Sequence, residues 1–170
     1  MRPHWRSSSA RCQFPDPYAH NAVLIGIQHI ALIVADLGAA KRFYGEQLGM
    51  EELERPTNFT FSGAWYRAGD QEIHLVAAHD TTCEPGWKDP GPGAQAGLAV
   101  HLAFEVDDLD AERERLQLQG IELFAGPFER GDGVVQFYVK DPDGHLVELF
   151  ERTEADQSGA RERTPVRHMA

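Results

Sequence analysis

HIALIVAD, residues 29–36, and HLAFEVDD, residues 101–108, are two copies of one pattern, and the fold follows from that duplication. Aligned on their histidines, the copies agree at six of eleven positions: His29 with His101, Ala31 with Ala103, Val34 with Val106, Asp36 with Asp108, Leu37 with Leu109 and Ala39 with Ala111. Each copy is followed later by an apolar run that carries one polar residue. In the first half this run is QEIHLV with His74, and in the second it is GHLVELF with Glu148. The spacings are close, 74 − 29 = 45 and 148 − 101 = 47 residues. The chain is therefore expected to hold two modules of the same plan, 23–79 and 98–152, joined by a linker, 80–97. Flexible tails are expected at 1–22 and 153–170.

Within each module the patterning predicts β-α-β-β-β. Residues 27–34 are nearly continuous, β-branched and apolar, as a strand requires. Period-2 geometry puts His29, Ala31 and Ile33 on one face and Ile30, Leu32 and Val34 on the other. Asp36 is placed to cap a helix over 37–48, and Gly49 to end it. Short strands are expected at 51–54, 59–61, 64–67 and 72–77, the last with His74 opposite Ile73 and Leu75. The second module repeats this with strands at 100–106, 121–124, 134–140 and 145–150. Its helix, 109–119, is capped by Asp107 or Asp108 and closed by Gly120. Asp141-Pro142-Asp143-Gly144 has the chemistry of a turn. The fold class is α+β: two tandem βαβββ modules forming a curved mixed sheet around a metal-binding cleft.

The bulk composition narrows the partners. A formal charge of −11 disfavours nucleic acid and anionic membranes, both of which need a basic face. No apolar run reaches the ~20 residues of a membrane helix. Cys12 and Cys83 have no CxxC spacing and fit a reducing compartment, so a soluble cytoplasmic protein is expected.

A lone histidine on a strand is most often structural. Duplication changes that, because equivalent positions of two sheets packed about a pseudo-twofold axis converge. His29 and His74 from one copy and His101 and Glu148 from the other form a set of three imidazoles and one carboxylate. That set suits a borderline divalent ion, Zn²⁺, Ni²⁺, Fe²⁺ or Mn²⁺. Glu105 shares a face with His101 and is a candidate to orient it. Glu72 shares a face with His74 but lies nearer the turn and is left out. His79 and His145, at a strand end and a turn, are expected to be exposed.

The series HIALIVADLGAAKRFYGEQLGM, IHLV, HLAFEVDDL and DPDGHLVELFE resembles the vicinal oxygen chelate superfamily over about residues 23–152. That superfamily includes glyoxalase I, extradiol dioxygenases and the fosfomycin and bleomycin resistance proteins. The run ERPTNFTFSGAWYRAGDQEIHLV is similar to its glyoxalase-like branch. The resemblance implies metal ligation by His29, His74, His101 and Glu148. It further implies a metal-dependent lyase or isomerase acting on a small substrate with vicinal oxygens through a metal-stabilised enediolate, with Glu148 moving the proton. It implies a homodimer, the halves of the site paired within one chain or exchanged across the dimer. In glyoxalase I the position of His74 is usually a glutamate that shares the proton transfer. A neutral imidazole is a poorer base and leaves the site one unit more positive.

Two alternatives accompany this reading. His29, His101 and Glu148 match the facial set of non-haem iron dioxygenases, although His74 then fills a position that oxygen chemistry needs open. A non-catalytic binding or resistance protein could use Trp65, Tyr66 and Tyr138 as pocket walls, though aromatics at strand spacing more often belong to a core. Arg55, Arg67, Arg130 and Lys140 are too dispersed to define a phosphonate pocket.

Overall fold

A computed structural model describes residues 24–88 and 93–153. The two expected tails fall almost wholly outside these residues, as do Cys12 and part of the linker. The first module comprises β1 (His29–Val34), α1 (Leu37–Lys41) continued by a π-helical turn (Arg42–Gln47), β2 (Glu52–Leu53), β3 (Gly63–Ala68) and β4 (Gln71–Ala77). Short 3₁₀ turns at Ala78–Asp80 and Gly93–Leu98 flank the linker. The second module comprises β5 (Leu102–Glu105), α2 (Leu109–Leu118), β6 (Ala125–Glu129), β7 (Val134–Lys140) and β8 (Leu146–Arg152). The sheets run β1-β4-β3-β2 and β5-β8-β7-β6. In both, the first strand lies parallel to the last and the other neighbours are antiparallel. The duplication in sequence is thus a duplication in topology.

Helix ends obey the chemistry written beside them. Asp36 Oδ1 accepts from Ala39 N at 3.0 Å and Asp108 Oδ1 from Ala111 N at 2.9 Å, each satisfying an amide that has no partner inside its helix. Gly49 and Gly120 follow the helices with φ of 73° and 80°. The first helix widens beyond Lys41, with Leu48 N donating to Phe43 O at 2.8 Å. Gly45 rests there on Tyr66, whose ring atoms would stand 3.1 Å from an added Cβ.

One apolar cluster spans both modules. It takes Leu32 and Val34 from β1, Phe43 and Tyr44 from the helical segment, Ile73 and Leu75 from β4, Leu109 and Leu116 from α2, and Val147 and Leu149 from β8. The 141–144 turn fastens the modules together. Asp143 Oδ1 accepts from Ala35 N at 2.9 Å, and Tyr44 Oη donates to Asp141 Oδ2 at 3.0 Å. Gly86 of the linker donates to Ile33 O at 3.2 Å, with its Cα against the Asp143 carbonyl.

Three expectations are corrected. Residues 59–61 form no strand: Phe59 and Phe61 pack edge to face, and the Arg55 guanidinium lies over Phe61 while donating to Phe61 O and Gly63 O. The strand expected at 121–124 lies at Ala125–Glu129, across Gly126-Pro127. Proline cannot donate to a ladder, but β6 is an edge strand and has a side where no donor is needed. His145 is buried at 1% exposure, not exposed. Its Nδ1 lies 2.7 Å from Asp141 Oδ2, and Trp87 of the linker covers its ring.

Candidate metal-binding site

The apolar stripes of β1 and β4 face the helical side, which turns His29 and His74 to the opposite face. The register places Ala31 beside His74 on β4 and Trp65 across from it on β3. In the second sheet Ala103 stands beside Glu148 on β8, and Tyr138 across from it on β7. Each module therefore carries the same rung: alanine, candidate ligand, aromatic. The small residue leaves room above the ligand and the aromatic walls it.

In the first module the rings of His29 and His74 stack at 4.2 Å and 11°, and His74 stacks on Trp65 at 4.1 Å and 6°. His29 is exposed, and its Nδ1 contacts the Gln28 side-chain oxygen. His74 Nε2 is 2.7 Å from Glu72 Oε2, and this hydrogen bond holds the Glu72 carboxyl below the usual glutamate range. Imidazole lone pairs lie in the ring plane, so the two stacked rings must tilt apart to converge on one ion at nitrogen–metal bonds of about 2.1 Å.

In the second module Glu148 is 2% exposed and closely held. Tyr138 Oη donates to Oε2 at 2.7 Å, Arg130 Nη1 to Oε1 at 3.2 Å, and Gln136 Nε2 to the Tyr138 hydroxyl at 2.9 Å. Burial raises the Tyr138 phenol far above its ordinary value, and the bond to Glu148 raises it further. His101 Nδ1 bonds Ala99 O at 2.8 Å. A carbonyl only accepts, so Nδ1 carries a proton and Nε2 is the nitrogen turned toward Glu148. That nitrogen sits 3.0 Å from Glu148 Oε2. A proton or a metal ion bridges such a contact, and an imidazole nitrogen beside a carboxylate is a donor set that fits a divalent ion.

Of the four predicted ligands, the structure brings together His29 with His74 and His101 with Glu148, each pair on its own sheet. Among the described residues no group of three His, Cys, Asp or Glu side chains forms a metal cluster within the chain. A cleft of about 690 Å³ lies between the sheets, lined by Ile27, Ile30 and Glu72 from one and His101, Ala103 and Glu105 from the other. Glu105 does not orient His101; it pairs with Arg152 at 3.0 Å. Glu72 and Arg130 contact candidate ligands and were missed. Strand parity alone placed Glu72 on the right face, whereas Arg130 comes from a loop without a pattern. Trp65 stacks on His74, whereas Tyr66 and Tyr138 are buried at 1% and 0% exposure, Tyr138 with its hydroxyl on Glu148.

The chain is similar to known proteins over the same region. The lactoylglutathione lyase of Haemophilus influenzae is 32% identical over 127 residues, covering 74% of this chain and 91% of that protein. Glyoxylase I 4 of Arabidopsis thaliana is 26% identical over 127 residues, covering 74% and 70%. The crystal structure of a glyoxalase family protein from Bacillus anthracis superposes with a TM-score of 0.60 at 29% identity, covering 79% of this chain and all of that one. The family model for the Glyoxalase/Bleomycin resistance protein/Dioxygenase superfamily matches residues 26–149, both modules with their repeated rungs, and the chain belongs to that superfamily.

Proposed function

We propose that the protein is a glyoxalase-like, metal-dependent lyase or isomerase acting on a small substrate with two neighbouring oxygens. The observation that carries the reading is the His101–Glu148 pair, an imidazole nitrogen and a buried carboxylate oxygen held 3.0 Å apart. Similarity to lactoylglutathione lyases supports the reaction class. His29, His74, His101 and Glu148 would hold the ion. When bound, a divalent ion supplies Lewis-acid polarisation of the substrate oxygens.

The chain's own groups do the rest. Glu148, buried and fixed at both oxygens, takes a proton from one substrate carbon and returns it to the next, so no net proton is consumed. Tyr138 and Arg130 set its orientation. Trp65 Nε1 and Gln136 Oε1 are buried without partners among the described residues and offer a donor and an acceptor to a polar substrate.

The site is completed in a homodimer that joins the His29–His74 pair of one chain to the His101–Glu148 pair of another. Two features support this. Each pair lies on a separate sheet, and the free edges near β1 and β5 expose Ile27, Ile30, Leu98 and Val100.

The test is isomerisation of the methylglyoxal–glutathione hemithioacetal. Wild type is expected to turn it over, and Glu148→Gln to lose at least about 100-fold in kcat. His74→Glu, which supplies a second carboxylate, is expected to raise kcat. Equal rates in wild type and Glu148→Gln would reject the role of Glu148.

A further inference from the structure

Glu72 stands two residues before His74 on β4, so both side chains leave the sheet on the same face. In the parallel register it is the neighbour of His29. It also lines the cleft that His101 enters from the other sheet. This carboxylate is half-buried and sits beside both imidazoles of the first module.

The geometry around His74 shows what this carboxylate can do. His29 and Trp65 sandwich the His74 ring, and the sandwich fixes the plane of the imidazole. It does not fix the flip. Rotation by half a turn within the stack exchanges each ring nitrogen with a carbon at almost no cost in stacking. The 2.7 Å contact between Nε2 and Glu72 Oε2 removes this freedom. A carboxylate only accepts, so Nε2 donates, and in the neutral ring the lone pair then resides on Nδ1. The other half of the site achieves the same end with backbone: Ala99 O accepts from His101 Nδ1–H and leaves Nε2 turned toward Glu148.

We propose that Glu72 is the positioning carboxylate of His74, selecting its flip and its tautomer so that Nδ1 faces the metal. The inference rests on the metal site proposed above. Carboxylates that accept from the distal nitrogen of a ligating imidazole raise its basicity and fix its aim, and their removal costs roughly 10–100-fold in metal affinity.

The experiment measures Ni²⁺ affinity of the full chain by competition with a chromophoric chelator, for wild type, Glu72→Gln and Glu72→Ala. Circular dichroism and the metal-free Tm confirm the fold of each variant. Glutamine keeps an acceptor for Nε2–H, so Glu72→Gln is expected to stay within a few-fold of wild type. Glu72→Ala is expected to lose roughly 10–100-fold at unchanged stoichiometry. An unaltered affinity in Glu72→Ala overturns the role of Glu72 and leaves the metal site standing. Equal and complete loss in both variants overturns it too, because that is the signature of a direct ligand. A wild-type chain that binds no Ni²⁺ overturns the metal site and this inference together.

Discussion

At the scale of single residues the protein is governed by buried phenols and carboxylates held in contact. Burial raises the pKa of Tyr44, Tyr66 and Tyr138, with Asp141, Glu52 and Glu148 adding to the effect; Tyr66 is pushed up to about 12. A folded-state value above the unfolded one of about 10 means that these phenols stabilise the fold fully below pH 10. The contribution is lost as pH climbs through the folded values. An alkaline titration followed at the tyrosinate absorbance should show these three phenols protonated beyond pH 10, ionising only with unfolding. Titration of all of them near pH 10 in a folded chain would contradict the packing. Asp141 is the second such centre, accepting from Tyr44, from the backbone of Asp143 and His145, and bonded to the His145 ring. Asp141→Ala strands these groups and should cost about 3 kcal/mol or more in chemical denaturation. His145 shows why a residue can be misread from sequence. A turn position normally means solvent, and nothing in DPDGH announces that Trp87, fifty-eight positions earlier, will close over it.

At the scale of elements the sequence is explicit where one residue does one local job. Asp36, Asp108, Gly49 and Gly120 mark helix ends by chemistry that acts within a single turn, and all four act as read. Asp36→Ala and Asp108→Ala should each cost about 1 kcal/mol of stability. Alternation on β1 and β4 separates core from ligand face, because period-2 geometry allows nothing else. Failures cluster where tertiary contacts override local pattern. Phe59 and Phe61 resemble a strand until Arg55 is found lying over them, and Gly126-Pro127 resembles a break until β6 proves to be an edge. Gly86 tests the junction between elements. It has φ +76°, and an added Cβ would meet Asp143 O at 2.1 Å, whereas Gly49 at φ +73° opens on empty space. Gly49→Ala should cost about 1 kcal/mol through backbone strain alone. Gly86→Ala should cost more, because the linker must also leave the turn. Equal losses would show that the linker does not press on the second module.

For the whole molecule, duplication is the fact from which the site follows. The repeat is visible in six identities, and it announced two modules of one topology; the alanine–polar–aromatic rung in each comes only from the strand register. How the two pairs meet was not legible, since a repeat specifies equivalent positions and says nothing of which chain supplies each. Mixing resolves it. His74→Ala and Glu148→Ala chains, each unable to complete a site, should on co-refolding regain metal at about a quarter of all sites if halves are exchanged across a twofold dimer. No recovery would place both pairs in one chain. The most direct test of the central claim is elemental analysis of the purified protein beside Glu148→Ala. One divalent ion per wild-type chain, absent from Glu148→Ala, is the result expected if His29, His74, His101 and Glu148 form one site. Wild-type protein that stays metal-free when dialysed against Zn²⁺, Ni²⁺, Fe²⁺ and Mn²⁺, or Glu148→Ala that keeps the ion, would contradict it.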